Sequence, residues 1–505
     1  MSVPASRLTL ANAAPLRPGG DYVLYWMTAA RRSTHSYALD RAIARARELG
    51  RPLLVFEALR CGYAWASDRL HAFVLAGMRD NAARFAAAGV AYYPYVEPAA
   101  GHGKGLLAAL AASACVVVTD ESPAFFLPRM QAAAAALPVC IERIDGNGLL
   151  PLRAAEIVFP TAIGFRRFIQ KRGRPYLDEH PRADPLARLE LPRTPVPKDI
   201  LARWPAADEP LLQARPAALA ALPIDHDVGP CGSGGSAAAS RTLARFLEHG
   251  LPRYDQRNDP AAAVTSGLSP YLHFGHIGAH EVFAALMRRE GWSPERLART
   301  TSGSREGWWG VGAATEGFLD QLVTWRELGF NMCFYRPEHE SYESLPMWAQ
   351  NTLNEHAGDA RAHLYSAAQL ESAQTHDPLW NAAQRQLVRD GTIHNYLRML
   401  WGKKVLEWSP DPRTALATLT HLNNKYALDG RDPNSSSGIA WTLGRYDRAW
   451  GPERPVYGKI RYMSSDNTAR KLHVAAYLRQ YADQPSAPDQ TLADRKARPP
   501  QVSSG

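Results

Sequence analysis

The chain has 505 residues, of which 46% are hydrophobic and 21% charged, with 37 glycines and 38 prolines. That length suggests two or three domains, and the balance excludes a disordered polymer or a fibrous repeat. Lys and Arg outnumber Asp and Glu by 58 to 49, and the resulting charge of +9 permits a polyanionic partner without requiring one.

From Tyr22 to about Arg143, short β-rich runs alternate with helical patterns: YVLYW, HSYALDRAIARARELG, LLVFEA, the stretch 70–88, AYYPYV, a helix before CVVVTD and another before VCIERI. Such alternation predicts a Rossmann-like parallel sheet covered by helices, and we assign residues 1–191 to this α/β domain. Its first strand–helix junction carries no G-x-G-x-x-G, and no G-x-x-x-x-G-K-[ST] occurs anywhere, which disfavours nicotinamide dehydrogenases and P-loop enzymes. Residues 192–239 turn Pro-rich and then Gly/Ser-rich, the composition of a connector lying on the surface or partly mobile.

Residues 240–483 read as helix after helix, giving an all-α second domain. One Gly/Ser segment within it, residues 300–315, is expected to be a surface loop. Residues 484–505 have the composition of a disordered tail. The five cysteines form no CxxC pair and their odd number closes no complete disulfide framework, so a reducing, cytoplasmic setting is expected. No run approaches the roughly 18 apolar residues of a membrane span and residues 1–19 lack a signal-peptide core, so neither export nor membrane insertion is expected.

Hydrolase signatures such as H-E-x-x-H and G-x-S-x-G are missing, and no Cys/His cluster has metal-ligand spacing. Ten of the 13 tryptophans lie between Trp292 and Trp450. Trp401 and Trp408 are seven apart in one expected helix, on one face and about 10 Å apart along its axis. Trp380 follows Asp377-Pro378, a helix start with Asp as cap. Such indoles serve either as core filler or as stations for electron hopping, and spacing does not separate the two. The segments RYDQRNDP and TSGLSPYLHFG offer Arg, Tyr, hydroxyls and backbone donors ahead of a helix, which suits a pyrophosphate or an ordinary polar cap.

The ordered blocks TSGLSPYLHFG, THDPLWNAAQ, NYLRMLWGKKVLEW, LNNKYALDGRDPN and ERPVYGKIRYM resemble the flavin-binding half of class II cyclobutane pyrimidine dimer photolyases, in the photolyase/cryptochrome superfamily. The segment YWMTAARRSTHSYALDRAIARARELGRPLLVF resembles the N-terminal antenna domain of that class. The resemblance implies FAD held between helices of the second domain. Tyr254, Thr265, Ser266, Leu268 and Ser269 fall on phosphate-binding positions, and Asn395, also a cofactor position, is more like the class I pattern. Arg398 and Asp429 match the ion pair against the isoalloxazine ring, and Asn423 the asparagine facing flavin N5, where a carbonyl oxygen favours reduced flavin. Trp401, Trp380 and Trp408 match the proximal, middle and distal members of the class II electron-transfer chain.

For the substrate, the resemblance implies damaged double-stranded DNA bound by a monomer. Trp325 and Trp441 match the indoles that hold a flipped-out dimer, and Arg448 and Arg461 match basic residues beside the duplex. It also implies an antenna chromophore in the first domain, with a deazaflavin or flavin more in keeping with class II than a folate. One position departs from the pattern: the glutamate expected four residues before Trp325 is Gln321, which cannot act as a carboxylic acid toward the dimer. A glutamine also stands there in (6-4) photolyases and animal cryptochromes, which opens (6-4) repair or blue-light signalling as alternatives. His394 fits the ordinary class II pattern better than the role of a (6-4)-type acid.

Overall fold

A computed structural model describes residues 3–483, so the tail expected at 484–505 lies outside the described residues. Six strands form one sheet: β1 (Leu8–Leu10), β2 (Tyr22–Met27), β3 (Leu53–Leu59), β4 (Ala91–Val96), β5 (Ala114–Asp120) and β6 (Ile141–Ile144). Their order is β1-β6-β5-β2-β3-β4, parallel throughout except for β1, an antiparallel edge strand on β6. The crossovers are α1 (Tyr37–Leu49), α2 (Asp68–Ala87), α3 (Leu106–Ala112) and α4 (Leu127–Ala134). α1 starts where Ser36 accepts from the Leu39 amide and stops at Gly50, whose φ of 61° favours glycine.

Every residue of β2 is buried because both faces of the sheet are covered. Val23, Tyr25 and Met27 pack with α1, while Tyr22, Leu24 and Trp26 pack with α3. The chain climbs to β4 on one side and restarts at β5 on the other, so the strand order reverses between β2 and β5. A crevice forms outside the carboxyl ends of strands at such a reversal. There Asp120 accepts from the amides of Thr28, Ala29 and Ala30 at 2.8 to 3.1 Å and from the Tyr25 hydroxyl, shaping the loop after β2.

The segment read as a connector contains three short helices, Lys198–Arg203, Glu209–Leu212 and Pro216–Leu219. Leu212, Leu219 and Leu222 are buried against Leu59, Val74, Leu75 and Met78, so this stretch is a packed belt over the α/β domain. Residues 301–312 lack regular structure as expected, but they do not simply lie on the surface. Trp308 and Trp309 are buried, Glu316 accepts from the amides of Gly307 and Trp309, and Arg166 and Gln170 hold Gly303 and Ser304.

The remainder is helical, and buried charged groups fasten it to the sheet domain. Arg69 of α2 donates to the carbonyls of Leu387, Val388 and Tyr426. Arg32 donates to Gly275 O, Arg326 to Asn147 O, and Glu327 accepts from the amides of Leu149 and Leu150. Gly275 has φ 72° and abuts the Ala29 carbonyl, so a side chain there is excluded twice. Residues 149–177, including α5 (Ala162–Arg172), share an apolar cluster with residues from 239 to 332.

Two histidines near this junction set an expected acid sensitivity. Burial lowers His71 to about 4 and His276 to about 3, the latter accepting from the Gly235 amide. Each binds a proton at about pH 6.5 when unfolded, so their contribution is present above that pH and is lost as pH falls toward their folded values. Glu327, pushed up to about 7 by burial, opposes this over the same window, but its shift is smaller than the two combined. Thermal scans should therefore show Tm falling from about pH 7 to about pH 4, and an unchanged Tm across that range would contradict the assignment.

Candidate cofactor and lesion site

The helix Pro378–Asp390 begins as its sequence requires, with Asp377 accepting from the amides of Leu379 and Trp380 and Pro378 in the first turn. That start fixes Trp380 beside the helix Asn395–Trp408. The Trp380 and Trp401 rings lie parallel, 5° apart in tilt, with centroids 6.4 Å apart, and the Trp380 indole donates to Trp401 O. Trp408 meets Trp380 edge-on at 5.5 Å. Trp380 thus fills the gap that the seven-residue spacing leaves between Trp401 and Trp408. All three are buried, and Trp401 donates to Gln384 Oε1 at 2.9 Å.

Trp408 is only 1% exposed. Outward from it lie Tyr365 at 5.5 Å and His376 at 5.2 Å, and the Tyr365 hydroxyl is 2.7 Å from His376 Nδ1. Sequence reading did not single out this pair or Gln384, because their roles arise from contacts between helices.

Arg398 lies one turn before Trp401 on the same helix, so i,i+3 geometry puts the two on one face. Its guanidinium donates to Asp429 Oδ1 at 3.0 Å, and its Nε is buried with no partner among the described residues. Burial pushes the Asp429 carboxyl up, but the Arg398 charge and hydrogen bond, with the Ser269 hydroxyl, hold it below the usual carboxylate range. Asn423, 2% exposed, uses its amide nitrogen on Asn424 Oδ1 and Ser435 Oγ. Its carbonyl oxygen accepts no hydrogen bond from the described residues, so an acceptor remains for a ligand N–H.

Tyr254 is buried against Phe246 and Phe318, with Arg257 over its ring. Leu268 is buried just before a short helix that begins at Ser269, and Ser266 Oγ accepts from the Leu268 amide. Thr265, Ser269 and Asn395 are exposed. The donor set fits a flavin dinucleotide: hydroxyls and a guanidinium for phosphates, an ion pair and a free carbonyl for the ring. His394 keeps company with the Arg257 carbonyl and Asp259.

Trp325 sits at the end of a π-helical turn, Asp320–Trp325, and such turns recur at functional sites. Its ring meets Tyr446 at 6.4 Å, and both Trp325 and Trp441 are half-buried against one apolar cluster. Gln321 in the same turn is half-buried, and its side chain makes no hydrogen bond among the described residues. Its neighbour Asp320 pairs with Arg166 at 2.8 Å. Arg461 lies 5.9 Å from the Trp441 ring and 5.0 Å from that of Trp450, which also carries Arg448 at 4.5 Å. Both arginines are exposed.

A separate cavity of about 650 Å³ opens at the carboxyl ends of β2, β3 and β5. Its walls include Trp26, Phe56, Tyr63, Phe125 and Phe126, with Arg431 on the side of the helical domain.

This two-domain architecture with a Trp-rich helical half is that of photolyases and cryptochromes. It matches a class III photolyase from Agrobacterium tumefaciens with a TM-score of 0.66 at 18% identity, covering 93% of this chain and 87% of that one. It also matches a photolyase from Sulfolobus tokodaii with a TM-score of 0.65 at 13% identity, covering 95% and 94%. No family model matches the sequence. The deoxyribodipyrimidine photo-lyase of Methanothermobacter thermautotrophicus is 32% identical over 478 residues, spanning 94% of this chain and 97% of that protein. That of Oryza sativa subsp. japonica is 35% identical over 490 residues, spanning 94% and 90%. The chain belongs to the deoxyribodipyrimidine photo-lyase family, within the photolyase/cryptochrome superfamily.

Proposed function

We propose that this chain is a class II photolyase that repairs cyclobutane pyrimidine dimers in DNA with light. The observation that carries the reading is the run of buried indoles Trp401, Trp380 and Trp408, which begins one turn from Arg398. When bound, reduced FAD would supply a light-excited electron donor for opening the two carbon–carbon bonds of the cyclobutane ring with no net redox change. Arg398 and Asp429 would flank the ring, and Asn423 would offer its carbonyl oxygen to a flavin N–H. Tyr254, Thr265, Ser266, Leu268, Ser269 and Asn395 supply the phosphate side. Trp325 and Trp441 hold the extruded dimer by stacking, while Arg448 and Arg461 neutralise phosphates.

The cavity at the sheet's carboxyl edge supports an antenna there. Its volume and aromatic walls suit a planar multi-ring chromophore such as a deazaflavin or flavin. The Sulfolobus tokodaii photolyase holds two FAD molecules, with the implication of a novel light-harvesting cofactor.

The test is repair of oligonucleotides with defined lesions under blue light by protein carrying about one FAD per chain. Thymine dimers should be restored in light and not in darkness. Trp441→Ala should erase most of the preference for damaged DNA, whereas Arg461→Ala should weaken damaged and intact duplex alike. Protein that folds but takes up no FAD would overturn the proposal. Gln321 favours a second reading, a cryptochrome-like photoreceptor, which predicts equal binding to damaged and intact DNA.

A further inference from the structure

Lys403 lies between two relay indoles in sequence, yet its side chain points elsewhere and is 0% exposed. Nζ donates to the Thr442 carbonyl at 2.7 Å and stands 4.7 Å from the centre of the Trp441 ring. Among the described residues no carboxylate comes within ion-pairing distance of it. An ammonium has three donors, so this one is buried with a single hydrogen bond and one aromatic face for company. A buried cation without a counter-ion is costly, which argues that the position serves something besides packing.

The charged and titratable groups around it are few. Asp447, on the loop after Trp441, is occupied at Oδ1 by the Trp450 indole and the Arg448 amide, and its Oδ2 is buried and unpartnered among the described residues. Arg461 approaches Trp441 as well. On its own helix, Lys404 pairs with Glu407, which also accepts from the Tyr457 hydroxyl.

We propose that Lys403 is a positioning residue for lesion recognition: anchored on the Thr442 carbonyl, its ammonium holds the Trp441 indole by a cation–π contact without touching DNA. The inference rests on Trp441 being a wall of the lesion pocket. Burial lowers the Lys403 ammonium to about 7, with Arg461 acting in the same direction and Asp447 against it. The contact is therefore present in mildly acidic solution and fades above neutrality.

The test is binding in darkness of the FAD-loaded protein to dimer-containing and undamaged duplexes at matched ionic strength, from about pH 6 to about pH 9. The ratio of the two affinities for the wild type should fall by roughly 2- to 30-fold, the range a cation–π contact supplies. Lys403→Arg, charged throughout, should keep a flat ratio, and Lys403→Met a flat and lower one with undamaged DNA bound as before. If Lys403→Met does not fold, the wild-type and Lys403→Arg profiles decide the question. A wild-type ratio independent of pH, or one that falls equally in Lys403→Arg, overturns the role of Lys403. If Trp441→Ala leaves the ratio intact, the lesion-wall reading fails instead.

Discussion

Trp401→Phe should abolish or strongly slow the photoreduction of bound oxidised FAD while the flavin stays in place. Phe retains an aromatic ring of smaller volume but is much harder to oxidise, and the parallel indole contact with Trp380 at 6.4 Å is lost. Stability falls as well, because Gln384 Oε1 loses its buried donor, at a cost of about 1–3 kcal/mol. That loss is separate from the electron path, since Arg398, Asp429 and Asn423 are unchanged. Trp204→Phe is a suitable control, because that buried indole belongs to a different apolar cluster in the α/β domain. Absorbance changes under blue light with an external reductant measure the effect. Photoreduction at the wild-type rate in Trp401→Phe would show the relay to be drawn wrongly.

Gln321→Glu should raise the yield of thymine-dimer repair per absorbed photon. The wild-type amide is half-buried and free of partners among the described residues, four residues before Trp325, so a carboxyl of nearly the same shape fits without repacking. Removing one hydrogen-bonding group that stabilises developing charge costs about 10²-fold or more where that group is essential. An amide donor remains here, so the wild type should repair measurably and the gain should be smaller than that. If both proteins leave dimers intact while their flavin is reduced and illuminated, dimer repair must be given up in favour of (6-4) repair or signalling.

The strands and crossover helices of the first domain were legible because a doubly covered sheet writes long apolar runs between helical periods. The start of Pro378–Asp390 was legible too, since Asp377-Pro378 is a local signal. β1 escaped because three residues paired antiparallel at an edge carry no period of their own. The belt of short helices at 198–219 escaped for a similar reason, as helices of four to six residues show no repeat and their burial depends on distant partners, α3 for the first and Leu59 with α2 for the other two. Trp308 and Trp309 lay within a Gly/Ser-rich composition that hid their anchoring by Glu316. Within the site, the family pattern marked residue types, whereas Gln384, Tyr365 and Lys403 acquire significance only from groups distant in sequence.

Arg69 belongs to the sheet domain, but the three carbonyls it satisfies end two helices of the other half, Pro378–Asp390 and Pro412–Tyr426. A guanidinium at those negative helix ends is both a cap and a counter-charge. These helices carry Trp380 and Asn423, so the proposed middle indole and the proposed ring-facing amide are braced from outside their own half. The helical half cut loose from the sheet would keep every residue of the proposed flavin site and lose the brace that aligns two of them. In the proposed reading, light capture and electron delivery are thus built on a single mechanical frame, in which the sheet domain doubles as scaffolding.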